Sequence, residues 1–295
     1  MLSRRHFLGS TAVAAAAAAS LRPLKSHGAE SVPVLGEMCV VTYNLRYASA
    51  TGENAWPVRR PVMRALLQEL KPDVMGTQEG LYGQLQEIAA DQPDLDWIGL
   101  GRDGGSRGEF MAIFYRRDRF EPLEYDHFWL SDTPLVMGSS TWGNTNRRMV
   151  TWVLFRDRRT GRNFNFWNTH LDHALQPARE KAAALILDRI RADAPAATPL
   201  LLVGDFNAVA GKNPVYDLLV RDGGLTDTWT TAAVRRNEAM NSFNGFQKAR
   251  ADGQRIDWIL TRGPASVRAT EIVTFERDGQ WPSDHFPVAA WLTLG

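Results

Sequence analysis

The sequence lacks several features that would define common classes of protein. Cys39 is the only cysteine among 295 residues, which excludes an internal disulfide and any paired-cysteine metal or redox motif. Lysine and arginine number 34 against 33 aspartates and glutamates, a balance that argues against a general nucleic-acid coat. Beyond the N-terminus, no apolar run reaches the ~20 residues that a membrane-spanning helix needs.

Motifs for nucleotide binding and metalloprotease activity are also missing. There is no Walker A or H-E-x-x-H pattern. Residues 99–104 match G-x-G-x-x-G, but a dinucleotide site needs a helix directly after the turn, and here more glycines and a strand-like segment follow. We interpret residues 99–104 as a glycine-rich loop. Cys39 lies in an apolar strand-like segment, which favours a small buried residue over a nucleophile.

What the chain does contain is enough apolar sequence for one large core. Hydrophobic residues make up 44%, with 10 Trp and 13 Phe, so a disordered chain is excluded. No low-complexity linker or clear repeat interrupts the sequence. We therefore predict a single domain over residues 35–295.

The first residues have a different character. Arg4 and Arg5 are followed by Phe7 and Leu8 and then by an alanine-rich stretch. This pattern predicts a twin-arginine signal peptide over residues 1–29, with an alanine-rich helix or tail as the alternative. A signal of this type implies export by the twin-arginine (Tat) machinery to the periplasm or the exterior. Its removal leaves 30 of the 34 basic residues against 33 acidic ones, a net charge of −3.

The apolar patterns predict an α/β (α+β) fold in which two packed sheets are flanked by helices. Helices are expected at 57–70, 81–90 and 179–192. The run at 200–206 is almost entirely apolar, which is typical of a central strand covered on both faces. The elements do not alternate regularly, which argues against a Rossmann fold or a TIM barrel. Other strands are expected at 37–46, 73–79, 97–101, 110–116, 128–130, 149–156, 163–171, 255–261, 269–275 and 286–294.

Polar residues capable of chemistry gather at the ends of these strands. Any one of them could cap a turn or face solvent, but together they interrupt segments where apolar residues are expected. Carboxylate and amide oxygens are the ligands that Mg²⁺ prefers, and imidazoles can donate to charge that develops on a phosphoryl group. The pattern therefore favours metal-assisted hydrolysis of a phosphate ester. The candidates are Asn44, Glu79, His170, Asp205, Asn207, Asp257, Asp284 and His285.

Seven short motifs occur in the order in which they are found in one enzyme family. The chain resembles the endonuclease/exonuclease/phosphatase superfamily, in a secreted bacterial branch. The resemblance implies a four-layer αββα sandwich of two mainly antiparallel sheets and a Mg²⁺-dependent phosphoesterase, with Mn²⁺ or Ca²⁺ as alternatives. The motifs are Thr42-Tyr43-Asn44, Gln78-Glu79, Gly108-Glu109-Phe110, Asn168-Thr169-His170, Gly204-Asp205-Phe206-Asn207, Arg255-Ile256-Asp257 and Ser283-Asp284-His285.

The resemblance also implies roles for single residues. Glu79 would be the principal metal ligand, assisted by Asn44 and by Asp257 or Asp284. Asp205 would orient or deprotonate the attacking water, and Asn207 would hold that water or a phosphate oxygen.

The two histidines would donate to the phosphoryl oxygens. Asp284 would hold His285, and Glu109 would orient His170, unless Glu109 is an ordinary exposed acid. Because both imidazoles lie beside carboxylates, we expect raised pKa values and protonated rings.

Substrate choice depends on loops, and here three features are candidates. The loop at residues 142–148, which begins at Trp142, could place Arg148 over a second phosphate or the leaving group, and Asp172 and His173 could line the rim. Aromatic rings could stack on a base or a sugar, and the candidates are Trp229, Phe243, Phe246 and Trp281. The leading hypothesis is a secreted, Mg²⁺-dependent phosphodiesterase that acts on small or single-stranded phosphodiesters, including nucleotidic ones. Nucleic acid is then expected as a substrate only, and no obligate protein partner is expected. A phosphomonoesterase, a lipid phosphodiesterase and a non-catalytic binding protein remain as alternatives.

Overall fold

The computed structural model describes residues 35–295, and the expected signal peptide at residues 1–29 lies outside them. Three longer helices occur in this part: α1 (Trp56–Leu70), α2 (Tyr82–Asp91) and α3 (Gln176–Asp193). Shorter helical segments are α4 (Pro214–Tyr216), which continues into a π-helical turn at Asp217–Asp222, and α5 (Thr228–Thr231). No helix of this part of the chain is both long enough and apolar enough to cross a membrane.

Thirteen strands form two sheets of seven and six strands within residues 35–295. The first sheet has the order β10-β12-β13-β1-β2-β4-β3 and the second the order β5-β6-β7-β8-β11-β9. Both are mixed, with antiparallel neighbours in the majority, as predicted. The strands are β1 (Met38–Asn44), β2 (Val74–Gln78), β3 (Leu95–Ile98), β4 (Ile113–Arg116), β5 (Phe120–Trp129), β6 (Met149–Asp157), β7 (Asn163–His170), β8 (Leu200–Asp205), β9 (Thr226–Asp227), β10 (Val234–Arg236), β11 (Asp257–Arg262), β12 (Ala265–Ile272) and β13 (Val288–Leu294).

Strand β8 shows why the layers form. Its side chains alternate, so that Leu200 and Leu202 pack on the α3 side, whereas Leu201 and Val203 face the other sheet. A strand covered on both faces must be apolar at every position, which explains the continuous run in the sequence. Helices α1 and α2 cover the outer face of the seven-stranded sheet in the same way. The result is the predicted four-layer αββα sandwich.

Several boundaries differ from the sequence prediction. The strand expected at 97–101 is Leu95–Ile98, because the glycines that follow form a tight loop. The strand expected at 110–116 becomes regular only at Ile113. The expected segment 128–130 is the end of the longer β5.

Candidate active site

The topology brings the strand ends with polar residues to one edge of the sandwich. Strands β1 and β2 are parallel, with Asn44 beside Gln78, and strands β7 and β8 are parallel, with His170 beside Asp205. The antiparallel strand β11 begins at Asp257, directly opposite Asp205. The Ser283–His285 motif precedes β13, which is antiparallel to β1. Each sheet therefore contributes about half of the residues of a common site.

These strand ends surround an open cavity of about 420 Å³. Most of the predicted catalytic residues line it, and so do residues of the neighbouring loops. The lining residues are Arg46, Tyr47, Glu79, Arg102, Glu109, Asn146, Arg148, His170, His173, Asp205, Asn207, Phe243, Ile256, Asp284 and His285.

Asn44 connects the acids of the two sheets. Its Nδ2 donates to Glu79 Oε1 and to Asp205 Oδ2, at 3.0 Å in each case. Its Oδ1 accepts from the backbone N–H of Arg46 at 3.0 Å. The amide nitrogen, rather than the expected ligand oxygen, thus faces the carboxylates. Glu79 has a left-handed backbone conformation (φ 62°), which costs a non-glycine residue about 1 kcal/mol and is typical of functional sites.

His285 is held by Asp257 and not by the neighbouring Asp284. Its Nδ1 lies 3.1 Å from Asp257 Oδ2, and its Nε2 lies 3.7 Å from Asp205 Oδ2. Burial opposes protonation, but the charges of Asp257 and Asp205 outweigh it and raise the pKa of His285 to about 10. The expected protonated donor is therefore present, with a different partner.

His170 differs from the expectation. Burial, together with the positive charges of Arg148 and His285, lowers its pKa well below the ordinary value. Its Nε2 lies 3.0 Å from Asn207 Nδ2, and the same amide nitrogen donates to the Leu171 carbonyl at 3.1 Å. His170 is therefore a neutral acceptor, and the prediction that it carries a proton on both nitrogens is wrong.

Glu109 lines the cavity but does not orient His170. It accepts from Arg102 Nη1 at 2.6 Å. Burial raises the pKa of Glu109, whereas Arg102 acts in the opposite direction. Glu109 thus contacts Arg102 instead of His170, the partner expected from the sequence.

Of Arg148, Asp172 and Trp142, only Arg148 reaches the cavity. It is almost fully buried, donates through Nη2 to His173 Nδ1 at 3.2 Å, and has no hydrogen-bond partner for Nε or Nη1 among the described residues.

Asp172 and Trp142 lie beside Arg148 and do not line the cavity, so the substrate contacts predicted for them are not supported. Asp172 Oδ1 accepts from the N–H groups of Ala174 and Leu175 just before α3. The Trp142 indole donates to Asp132 at 2.7 Å.

Polar lining residues that received no role in the sequence analysis include Arg46, Arg102 and Asn146. Arg46 follows Asn44 by two positions, and its guanidinium lies 3.8 Å from Glu79 and 3.7 Å from Asp284. Arg102 belongs to the glycine-rich loop, and Asn146 lies two residues before Arg148. Proximity to the motifs was a signal for Arg46 and Asn146. The sequence contains no signal for Arg102, whose position at the cavity is seen only in the folded glycine-rich loop.

The donor set fits a hard divalent cation. Glu79, Asp205 and Asp284 present three carboxylates to one cavity. Burial raises the pKa of Asp205 and of Asp284, with a further contribution from Asp257 and Glu79 respectively, so that a nearby cation would stabilise the ionised acids. Asp205, Asp257 and His285 also bring three donor atoms within 4.8 Å of one another. His285 is protonated there, however, and a metal ligand must be deprotonated.

The chain belongs to the endonuclease/exonuclease/phosphatase family, whose sequence pattern matches residues 41–285. Members of this family are generally hydrolases that act on phosphoesters. A comparison with curated proteins gives no match.

Solved structures resemble the chain over most of its length. A family member from Bacteroides thetaiotaomicron is 34% identical, with a TM-score of 0.83, and the match covers 88% of this chain and 98% of that one. A mannosyl-6-phosphatase from the same organism is also 34% identical, with a TM-score of 0.80 and coverage of 87% and 100%. A family member from Bacteroides vulgatus is 32% identical, with a TM-score of 0.82 and coverage of 88% and 99%.

Proposed function

We propose that the protein is a divalent-metal-dependent phosphoesterase that hydrolyses its substrate by in-line attack of water. One observation carries the proposal. Four carboxylates, an imidazole with a raised pKa and three arginines from both sheets face the same cavity of about 420 Å³. Acids can hold a cation and accept a proton, while the cationic groups can stabilise charge on a phosphoryl group.

Each group has a role that follows from its surroundings. Asp205 has a raised pKa and is therefore a suitable acceptor for a proton from water near neutral pH. His285, fixed by Asp257, donates to a phosphoryl oxygen. Asn207 is held against His170 and the Leu171 carbonyl, close to Asp205, where it can position water or phosphate.

Glu79 and Asp284 would hold Mg²⁺, with Mn²⁺ or Ca²⁺ as alternatives, and Asn44 would fix Glu79 against Asp205. When bound, the cation would neutralise charge on the phosphoryl oxygens. The chain's own part is to orient Glu79, through Asn44 Nδ2 and the backbone N–H of Tyr47, which lies 3.3 Å from Glu79 Oε2.

For the substrate we favour a small phosphate monoester such as a sugar phosphate. A monoester carries up to two charges, and Arg46, Arg102 and Arg148 all line the cavity. The mannosyl-6-phosphatase at 34% identity supports this choice. The diester expected from the sequence is the second candidate, because the half-exposed ring of Phe243 at the cavity could stack on a base.

A substrate panel tests both candidates. p-Nitrophenyl phosphate, mannose 6-phosphate, inositol phosphates, bis-p-nitrophenyl phosphate, single-stranded DNA and sphingomyelin are each assayed with Mg²⁺ or with EDTA. We expect turnover of the monoesters with Mg²⁺ and none with EDTA. Preference for the diesters would favour the second candidate, and a fully active EDTA-treated enzyme would exclude the metal.

We also propose that the protein is exported to the periplasm or the exterior, on the strength of the Arg4-Arg5 pattern. Cell fractionation of a strain that expresses the full chain tests this. Replacement of both arginines by lysine is expected to retain the protein in the cytoplasm.

A further inference from the structure

We propose that Arg59 of helix α1 is a positioning residue that orients Glu79 and Asn44 from beneath the cavity. The side chain is fully buried and does not line the cavity. The proposal rests on the phosphoesterase function above, because it explains how that site keeps its geometry.

All five N–H groups of the Arg59 guanidinium donate to backbone carbonyls. Nε donates to Asn54 O at 2.8 Å, Nη1 to Leu45 O at 2.9 Å and Pro282 O at 2.7 Å, and Nη2 to Arg46 O and Tyr47 O at 3.0 Å each. Three of these carbonyls belong to the turn after β1, and one precedes the Ser283–His285 motif. One side chain thus connects two segments that supply cavity residues.

Peptide geometry carries this contact to the site. In a trans peptide the carbonyl and the following N–H point in opposite directions in one plane. Arg59 fixes the Leu45 carbonyl, so the N–H of Arg46 points to Asn44 Oδ1 at 3.0 Å. It also fixes the Arg46 carbonyl, so the N–H of Tyr47 points to Glu79 Oε2 at 3.3 Å.

A second residue assists on the same turn. Gln84 of helix α2 donates through Nε2 to the Arg46 carbonyl at 3.0 Å. The turn needs this support because Arg46 has a left-handed backbone (φ 53°) without being glycine. Only an arginine offers five donors in a fixed plane, and a lysine could replace three of them at most.

Arg119 provides a matched control. It is also fully buried, and it donates to the carbonyls of Glu37 and Gly36 and to Asp157. These contacts lie at the opposite ends of the strands, before β1 and at the end of β6. Arg119→Lys therefore makes the same substitution at a fully buried arginine far from the cavity.

The experiment compares Arg59→Lys, Arg119→Lys and wild type by Tm, by kcat and KM for p-nitrophenyl phosphate, and by Mn²⁺ affinity in titration calorimetry. Replacement of a residue that orients metal ligands typically lowers metal affinity or activity by about 10-fold to 100-fold. We expect both variants to lose thermal stability. Only Arg59→Lys should lower kcat and weaken Mn²⁺ binding, by roughly 10-fold or more.

Equal kcat and Mn²⁺ affinity in the two lysine variants would overturn the proposal. If Arg59→Lys does not fold, the Mn²⁺ affinity of Gln84→Met tests the proposal instead, because this variant removes the other side-chain donor to the Arg46 carbonyl. A roughly 3-fold loss of Mn²⁺ affinity would support the role, in line with the smaller number of bonds removed, and an unchanged affinity would overturn it. An inactive wild type that binds Mn²⁺ would refute the phosphoesterase function alone, and one that neither binds nor hydrolyses would refute both.

Discussion

The two cavity histidines acquire opposite properties from their neighbours. His285 lies between the carboxylates of Asp257 and Asp205, which raise its pKa, while burial and Arg148 lower the pKa of His170. Adjacent residues in the sequence do not reveal this difference. Asp284 precedes His285 directly, yet the partner comes from β11, whose register places Asp257 opposite Asp205.

Replacement of His285 by alanine is expected to lower kcat at least 100-fold with the fold intact, since a donor to developing negative charge contributes roughly 3 kcal/mol. Steady-state kinetics with p-nitrophenyl phosphate and circular dichroism measure both properties. His127→Gln, on β5 away from the cavity, is the control and should retain wild-type kcat. A folded His285→Ala enzyme with wild-type turnover would exclude the assigned role.

His127 predicts a pH dependence of stability. Burial lowers its pKa from 6.5 to about 4, with Asp126 acting in the opposite direction. The unfolded chain therefore binds the proton more readily, and this contribution to stability is complete above about pH 6.5 and declines as the pH falls towards 4. Urea denaturation at pH 7 and pH 5 should show a smaller decrease in unfolding free energy for His127→Gln than for wild type. An identical decrease would contradict the prediction.

Among the structural elements, the two sheets approach each other closely at Gly76 of β2. An added Cβ there would lie 2.4 Å from Val203 Cγ2 and 2.8 Å from the Asn168 side chain. Asn168 bridges the sheets, because its Nδ2 donates to the carbonyls of Thr77 and Ala112 and its Oδ1 accepts from Gln78. The asparagine of the N-T-H motif thus holds the sheets in register beneath the site.

Gly76→Ala is therefore expected to reduce the unfolding free energy by roughly 2 kcal/mol, a typical cost of overpacking. The measurement is chemical denaturation. Gly83→Ala on α2 is the matched control, because its Cβ would meet nothing within 4 Å and helices favour alanine over glycine. Equal stability of the two variants would show that the sheets can separate at no cost.

Elements with a strong pattern were predictable, and those held mainly by tertiary contacts were not. The strand ends at Asn44, His170 and Asp205 could be located because polar residues follow apolar runs. Strands β9 and β10 contain two and three residues, too few to show a period. Asp172 is buried because its side chain accepts from the N–H groups just before α3, which begins at Gln176. The sequence prediction placed the start of this helix at residue 179 and so did not show this role.

In the whole molecule, each sheet provides part of the acidic cluster. Glu79 and Asp284 lie next to strands of the seven-stranded sheet, and Asp205 and Asp257 belong to the six-stranded sheet. Mutual repulsion of these carboxylates opposes the packing of the sheets, and a cation between them would reduce it.

Saturating Mg²⁺ is accordingly expected to raise Tm relative to EDTA. A ligand at 100 times its Kd stabilises the folded state by about 2.7 kcal/mol, which corresponds to roughly 5 °C or more for a chain of this size. Differential scanning calorimetry measures the shift, and Glu79→Gln should reduce it. Identical Tm values with Mg²⁺ and EDTA would argue against a metal in the cavity.

The interleaving of the two sheets along the chain has a practical consequence. Strands β5 to β9 build most of one sheet, but the other is completed only by β10, β12 and β13 near the C-terminus. No fragment that ends before residue 285 contains the full set of reactive groups. Turnover can therefore serve as a reporter of complete folding, and a truncated or half-assembled product would be catalytically silent.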